Sequence, residues 1–102
     1  MKTGYAIMVA SGWPQCDTDE NFGFAATVND IYIDHNKAVE ARDAMIKKDK
    51  EEIVANYKED GDEDRVGFEE GEIDDEKYLR FYLDGYLQVE NKYYIKPVYI
   101  RD

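Results

Sequence analysis

Residues that carry chemistry are scarce in this chain. Among 102 residues there is one cysteine (Cys16), one histidine (His35) and one serine (Ser11). A lone thiol closes no intrachain disulfide, which fits a reducing compartment. The same scarcity leaves Cys16 with His35 as the sole Cys/His pair from which a nucleophile and its base could be assembled. Cys16 falls in a polar stretch that reads as a loop, and His35 falls at a helix start, where the helix dipole disfavours a protonated ring. Neither is surrounded by a catalytic fingerprint, so the sequence points to a non-enzymatic protein with no cofactor. Positive charge is also in short supply, with 13 Lys and Arg against 24 Asp and Glu and a net charge of −11. That excess repels phosphate backbones and anionic headgroups, which argues against direct binding to nucleic acid or to a membrane surface. Long apolar runs are missing too. Tyr5 to Ala10 is too short for the core of a signal peptide and falls far below the roughly 18 apolar residues of a spanning helix. The expected location is the cytoplasm, of a bacterium or of a host cell.

What is present describes a folded domain. The chain is 43% apolar and 14% aromatic, more than a solvated tail carries, and its length allows one modest core. The expectation is a single α+β domain over residues 1–102, with an antiparallel sheet of three to four strands packed against one long helix. Tyr5, Ile7 and Val9 alternate with Ala6, Met8 and Ala10, as in a strand covered on both faces. A polar loop is expected from Gly12 to Asn21, then a second strand over Phe22, Phe24, Ala26 and Val28 and a short extended piece from Ile31 to Ile33.

The helix follows, with Asp34 or Asn36 as its cap and Ala38, Val39, Ala41, Met45, Ile46, Ile53, Val54 and Tyr57 along one side. Asp49 with Glu52 has the form of a capping box, so one helix of about 22 residues and two shorter ones both stay open. Further on, Leu79, Tyr82, Leu83, Tyr86 and Leu87 share a helical face, whereas Asp84-Gly85 has the chemistry of a hairpin turn. A hairpin would set Leu79 and Phe81 on one face with Glu90 and Gln88, which is poor pairing, so a second short helix is preferred. Tyr93 to Ile100 alternates as a final strand, and Pro97 places it at an edge or on a bulge.

The most informative segment is Glu59 to Glu76. One arginine, Arg65, stands there against eleven carboxylates, a local net charge of −10 that accounts for nearly all of the −11. The expectation is an acidic loop inserted into the domain. Asp60, Asp62 and Asp64 imitate positions 1, 3 and 5 of a calcium loop, but Arg65 replaces the turn glycine, Gly67 the apolar residue and Gly71 the bidentate glutamate, so no dedicated metal site is expected. Paired carboxylates do acid/base work only in a pocket that drives their pKa values apart, and a polar stretch keeps them ionised. Val66, Phe68 and Ile73 lie among the acids, which joins steering to anchoring on a basic groove.

Double-stranded DNA presents one charge per roughly 1.7 Å of axis, so a dense row of carboxylates can stand in for phosphates. In composition and size the chain resembles the small acidic proteins with which phages and mobile elements block host nucleases, the anti-restriction and anti-CRISPR proteins. That resemblance implies an inhibitor that occupies a basic, nucleic-acid-binding protein surface. The expected contact residues are Asp60, Asp62, Glu63, Asp64, Phe68, Glu69, Glu70, Glu72, Asp74 and Asp75. The alternative is a small protein-interaction domain in which the acids only keep the chain soluble and surface Tyr and Trp make the contacts.

Overall fold

The structure, a computed structural model, describes residues 2–15, 18–73 and 76–100, with side chains over 2–13, 30–73 and 76–99. In chain order the elements are β1 (Lys2–Gln15), β2 (Thr18–Tyr32), α1 (His35–Glu59), a single 3-10 turn (Glu63–Arg65), β3 (Val66–Ile73), β4 (Glu76–Leu83) and β5 (Tyr86–Ile100). The strands form one antiparallel sheet in the order β2-β1-β5-β4-β3. The α+β expectation holds, and the sheet has five strands where three to four were expected.

Three expectations are corrected. Residues expected as a polar loop after Gly12 instead extend a long hairpin, with Gly12 opposite Phe24 and Trp13 opposite Gly23; the expected Ile31 piece is the end of β2, with Ile31 opposite Ala6. The expected second helix is the β4–β5 hairpin. Asp84 (φ 53°) and Gly85 (φ 83°) both take left-handed backbone, the signature of a type I′ turn. The poor pairing that argued against it is removed by a bulge, since the register shifts between Phe81 and Tyr82. Val89 then lies opposite Phe81 and Glu90 opposite Arg80. The expected acidic loop is a Schellman turn, the 3-10 turn and β3. Pro97 lies opposite Tyr5 of β1, while pairing of β5 with β4 ends at Tyr93. The strand therefore has one described neighbour at Pro97, so β5 is locally an edge there although it is central further back.

The helix is continuous over 25 residues. Asp34 caps it, its side chain accepting from the Asn36 amide at 2.8 Å. At the other end Gly61 has φ 73°, its amide donates to the Lys58 carbonyl at 3.1 Å and the Asp62 amide reaches the Tyr57 carbonyl at 2.9 Å, a complete Schellman motif. Ala38 and Ile46 of the expected stripe are buried; so is Arg42, which the stripe omitted.

Ile46 meets Leu79 and Tyr93 in the core, with Val9, Met45 and Phe68 packed around them. Burying side chains of this size contributes roughly 1.5–3 kcal/mol each. Asp49, expected as a cap, has another use. Its carboxylate accepts from the hydroxyl of buried Tyr93 at 2.5 Å, and that hydroxyl accepts from the Asn91 amide at 3.1 Å. This chain is a polar link from the helix to β5 in the middle of the sheet, beside the Asp43–Lys77 pair to β4 at 2.8 Å.

Burial first, then the Asp49 carboxylate, push the Tyr93 hydroxyl well above its ordinary value of 10. A raised folded pKa contributes stability that is complete below the unfolded value and is lost as pH rises from about 10 toward the folded value. Tyr93→Phe leaves Asp49 and Asn91 without that partner and is expected to cost about 1–3 kcal/mol at neutral pH. Its stability should then fall less steeply than wild type above about pH 10, as measured by urea unfolding across pH.

Candidate functional site

The acidic segment is fixed in two parts. The first is the corner where α1 ends. The Schellman turn leads into the 3-10 turn, where the Arg65 amide bonds the Asp62 carbonyl at 3.0 Å and the Asp84 amide bonds the Arg65 carbonyl at 2.9 Å. The Arg65 guanidinium holds the Asp84 carboxylate through Nε at 2.9 Å and Nη2 at 2.6 Å, and lies 3.7 Å from Asp62. That bidentate contact, more than the small opposing effect of burial, draws the Asp84 carboxyl below its ordinary range. The one cation of the segment thus ties the corner to the β4–β5 turn. Glu59, Asp60, Glu63 and Asp64 are exposed around it, at the end of the helix whose dipole is already negative.

The second part is β3, a terminal strand of the sheet. Its eight residues pair with β4 in unbroken register from Val66 opposite Leu83 to Ile73 opposite Glu76. On the face away from the helix, Glu69, Arg80 and Glu90 lie side by side on β3, β4 and β5. Arg80 bridges both acids, Nη1 to Glu69 at 2.7 Å and Nε to Glu90 at 3.1 Å. Burial alone would lower the Arg80 pKa, but Glu90 and then Glu69 outweigh it and hold the guanidinium more firmly protonated. Tyr78 and Tyr82 direct their hydroxyls at Glu69, at 3.4 and 3.3 Å, and the Arg80 guanidinium lies 4.7 Å from the centre of the Tyr78 ring. That ring covers Gly71, where a β-carbon would come within 2.3 Å of the Tyr78 hydroxyl, so any larger residue would push the Tyr78 ring aside. On the helix face, Lys50 reaches Glu70 at 2.8 Å and sits 5.6 Å over the Phe68 ring.

The sequence-predicted residues therefore divide. Among the described residues, Asp60, Glu63 and Asp64 stand at the corner without an ion pair, and Asp62 is paired with Arg65. Glu69 and Glu70 are each engaged by a cation from a different element, while Glu72 and Glu76 have no ion pair among the described residues. Asp74 and Asp75 lie outside the described residues. Phe68 does not stand free as an anchor. It is half-buried against the core, its ring centre 6.1 Å from that of Phe81, with one side left to a shallow groove shared with Val54 and Ala55. Lys50 and Arg80 were missed because they lie 20 and 11 residues from their partners, beyond any local spacing rule.

Elsewhere, a concavity of about 670 Å³ lies beside the helix and includes Ser11, Asp49, Glu52 and Asn91. No hydrogen bond joins Ser11 to a base among the described residues. His35 packs edge-on against the Tyr5 ring at 5.0 Å, and Cys16 lies outside the described residues. The described residues hold no cluster of three His, Cys, Asp or Glu placed to bind a metal, and no described helix is long and apolar enough to cross a membrane. Compared with protein-family models, curated proteins and solved structures, the chain matches none.

The two parts predict opposite responses to neutralisation. Asp60→Asn, Glu63→Gln and Asp64→Asn together relieve repulsion at the negative helix end and should leave the melting temperature unchanged or raise it by a few degrees. Arg80→Met strands Glu90, whose side chain is 10% exposed, and should cost about 2 kcal/mol. That figure is discounted from the roughly 3–5 kcal/mol of a fully buried pair because Arg80 remains partly in solvent. Thermal scans of the two variants in low salt check both signs.

Proposed function

We propose that this protein is a non-enzymatic inhibitor whose acidic surface occupies the basic, nucleic-acid-binding groove of a partner protein, in the manner of a nucleic-acid mimic. The observation that carries this reading is the corner after α1. Glu59, Asp60, Glu63 and Asp64 carry no cation partner among the described residues, stand at the unfavourable end of a helix and are displayed on a backbone fixed by four turn and cap hydrogen bonds. Side chains that work against the fold yet are held in place are read as serving something other than the fold. A fixed backbone lowers the ordering cost of binding. Along β3, Glu70 and Glu72 follow at a strand's two-residue step of about 6.6–6.8 Å, roughly two of the 3.4 Å steps between phosphates of one DNA strand.

This reading places the source among phages and mobile elements, with the anti-CRISPR and anti-restriction proteins as the nearest functional analogy and a nuclease or nucleic-acid-binding effector as the partner. The interaction-domain alternative has its own support. Terminal strands are commonly protected from edge-to-edge pairing by charge, and the carboxylates of β3 meet that need without any partner.

The two readings separate in capture from a nuclease-containing lysate at about 0.05 and 0.5 M salt. The inhibitor reading expects a basic partner that is released by the higher salt, competed off by added DNA or RNA, and lost on reversing Asp60, Glu63, Asp64 and Glu72 to lysine, chiefly through slower association. A partner that persists through those reversals, or that holds nucleic acid and this protein at once, contradicts it.

A further inference from the structure

We propose that the outer edge of β3 is a docking site for an extended, lysine- or arginine-bearing segment of a partner protein, which joins the sheet as a sixth strand. The inference rests on the reading that the acidic surface engages a basic partner, and it names the form that partner takes at β3.

The first observation is the edge itself. In an antiparallel pair, alternate residues turn their N–H and C=O groups away from the neighbouring strand, and on a terminal strand those groups face outward. Natural edges are blunted by proline, by bulges, by lysine or by shortness. β3 has none of the four. It pairs with β4 without a register shift across eight residues, and its rise of about 26 Å leaves room for several backbone hydrogen bonds. What guards it is carboxylate alone. Pairing with a second copy of β3 would bring Glu69, Glu70 and Glu72 of one strand among those of the other, so self-association is opposed. A cationic strand meets the opposite sign. The edge is therefore closed to its own kind and open to a basic one.

The second observation is the groove beside the edge. Val54 and Ala55 of α1 and the exposed side of Phe68 form its floor, with Lys50, Glu51 and Lys58 at its rim, around a cavity of about 370 Å³. A helix packed alongside a terminal strand is the arrangement in which strand addition supplies affinity through the backbone, while pockets read every second side chain. The alternation here sets the order. An added residue beside Phe68 points its side chain over the groove and suits an apolar group. The next residues on the same face lie beside Glu70 and Glu72 and suit cations, while the opposite face brings a cation to Glu69. Glu70 has one internal cation, Glu69 has Arg80 and the Tyr78 and Tyr82 hydroxyls, and a carboxylate offers about four acceptor positions, so an incoming ammonium or guanidinium joins these contacts rather than displacing them.

The test uses the intact protein and a synthetic octapeptide with one leucine and three lysines placed for those positions and threonine elsewhere. Two further peptides carry N-methyl groups on alternate amides, one in each phase. Methylation keeps charge and side chains and removes donors. In a paired strand one phase turns toward β3 and the other toward solvent. The expected result, by fluorescence anisotropy at low salt, is binding of the parent peptide, about ten-fold or greater weakening for one methylated phase and little change for the other. Glu72→Lys should weaken all binding, whereas the corner variant bearing Asp60→Asn, Glu63→Gln and Asp64→Asn should weaken the parent and both methylated peptides by the same factor and leave the difference between the two phases unchanged.

Equal affinity in both phases would show contact by charge alone. It would overturn strand docking while leaving the acidic-surface reading standing. Loss of the phase difference in the corner variant would place the peptide elsewhere and overturn the proposal, as would a parent peptide that fails to bind. The inhibitor reading itself stands or falls separately, on capture of a salt-sensitive partner.

Discussion

Arg80 is the residue on which the acidic strand's place in the sheet depends. A β3 rich in carboxylate has little reason of its own to join a sheet, because Glu and Gly are weak strand formers and like charges on neighbouring strands repel. Arg80 changes that balance by standing directly between Glu69 and Glu90 and bonding both. One guanidinium thus links three consecutive strands across the open face. Lys50 does the same from the helix side, holding Glu70 while it covers Phe68. With clamps on both faces β3 is held in the sheet, and it keeps the unbroken register with β4 that a loop would lack.

The carboxylates of the segment consequently serve two ends. Those in the middle of β3 are joined to cations and hold an edge strand in position. At the corner of α1, Glu59, Asp60, Glu63 and Asp64 have no such partner among the described residues, and their field reaches outward over about 8 Å at physiological ionic strength. The corner supplies long-range attraction for a basic surface, and the strand edge beside it supplies directional hydrogen bonds. Both elements share the β4–β5 turn through Arg65 and Asp84, so attraction and docking are displayed by one connected piece of backbone.

Some of this was legible in the sequence and some was not. The helix declared itself through its apolar stripe and Asp34, because both signals act within a few residues. β1 was legible from its apolar run. The β4–β5 hairpin was obscured because Leu79, Tyr82, Leu83, Tyr86 and Leu87 happen to satisfy a helical spacing, and because a bulge-free register pairs the wrong residues. The bulge corrects the pairing, but nothing local to Gln88 announces it. β3 escaped notice since only Val66 and Phe68 alternate before the acids dominate. The number and position of the carboxylates were plain, but their division into held and free charges depends on Lys50 and Arg80, which only the folded topology brings near.

The central claim is that the acidic segment is ordered from Glu59 to Ile73 and includes an open edge strand. Amide hydrogen exchange across Val66–Ile73 in the protein alone tests it most directly. The structure predicts alternation, with amides that bond to β4 exchanging slowly and those between them, facing solvent, exchanging fast. Uniformly fast exchange along the whole stretch would mean a solvated acidic loop and would contradict the account, and uniform protection would mean that the edge is already covered.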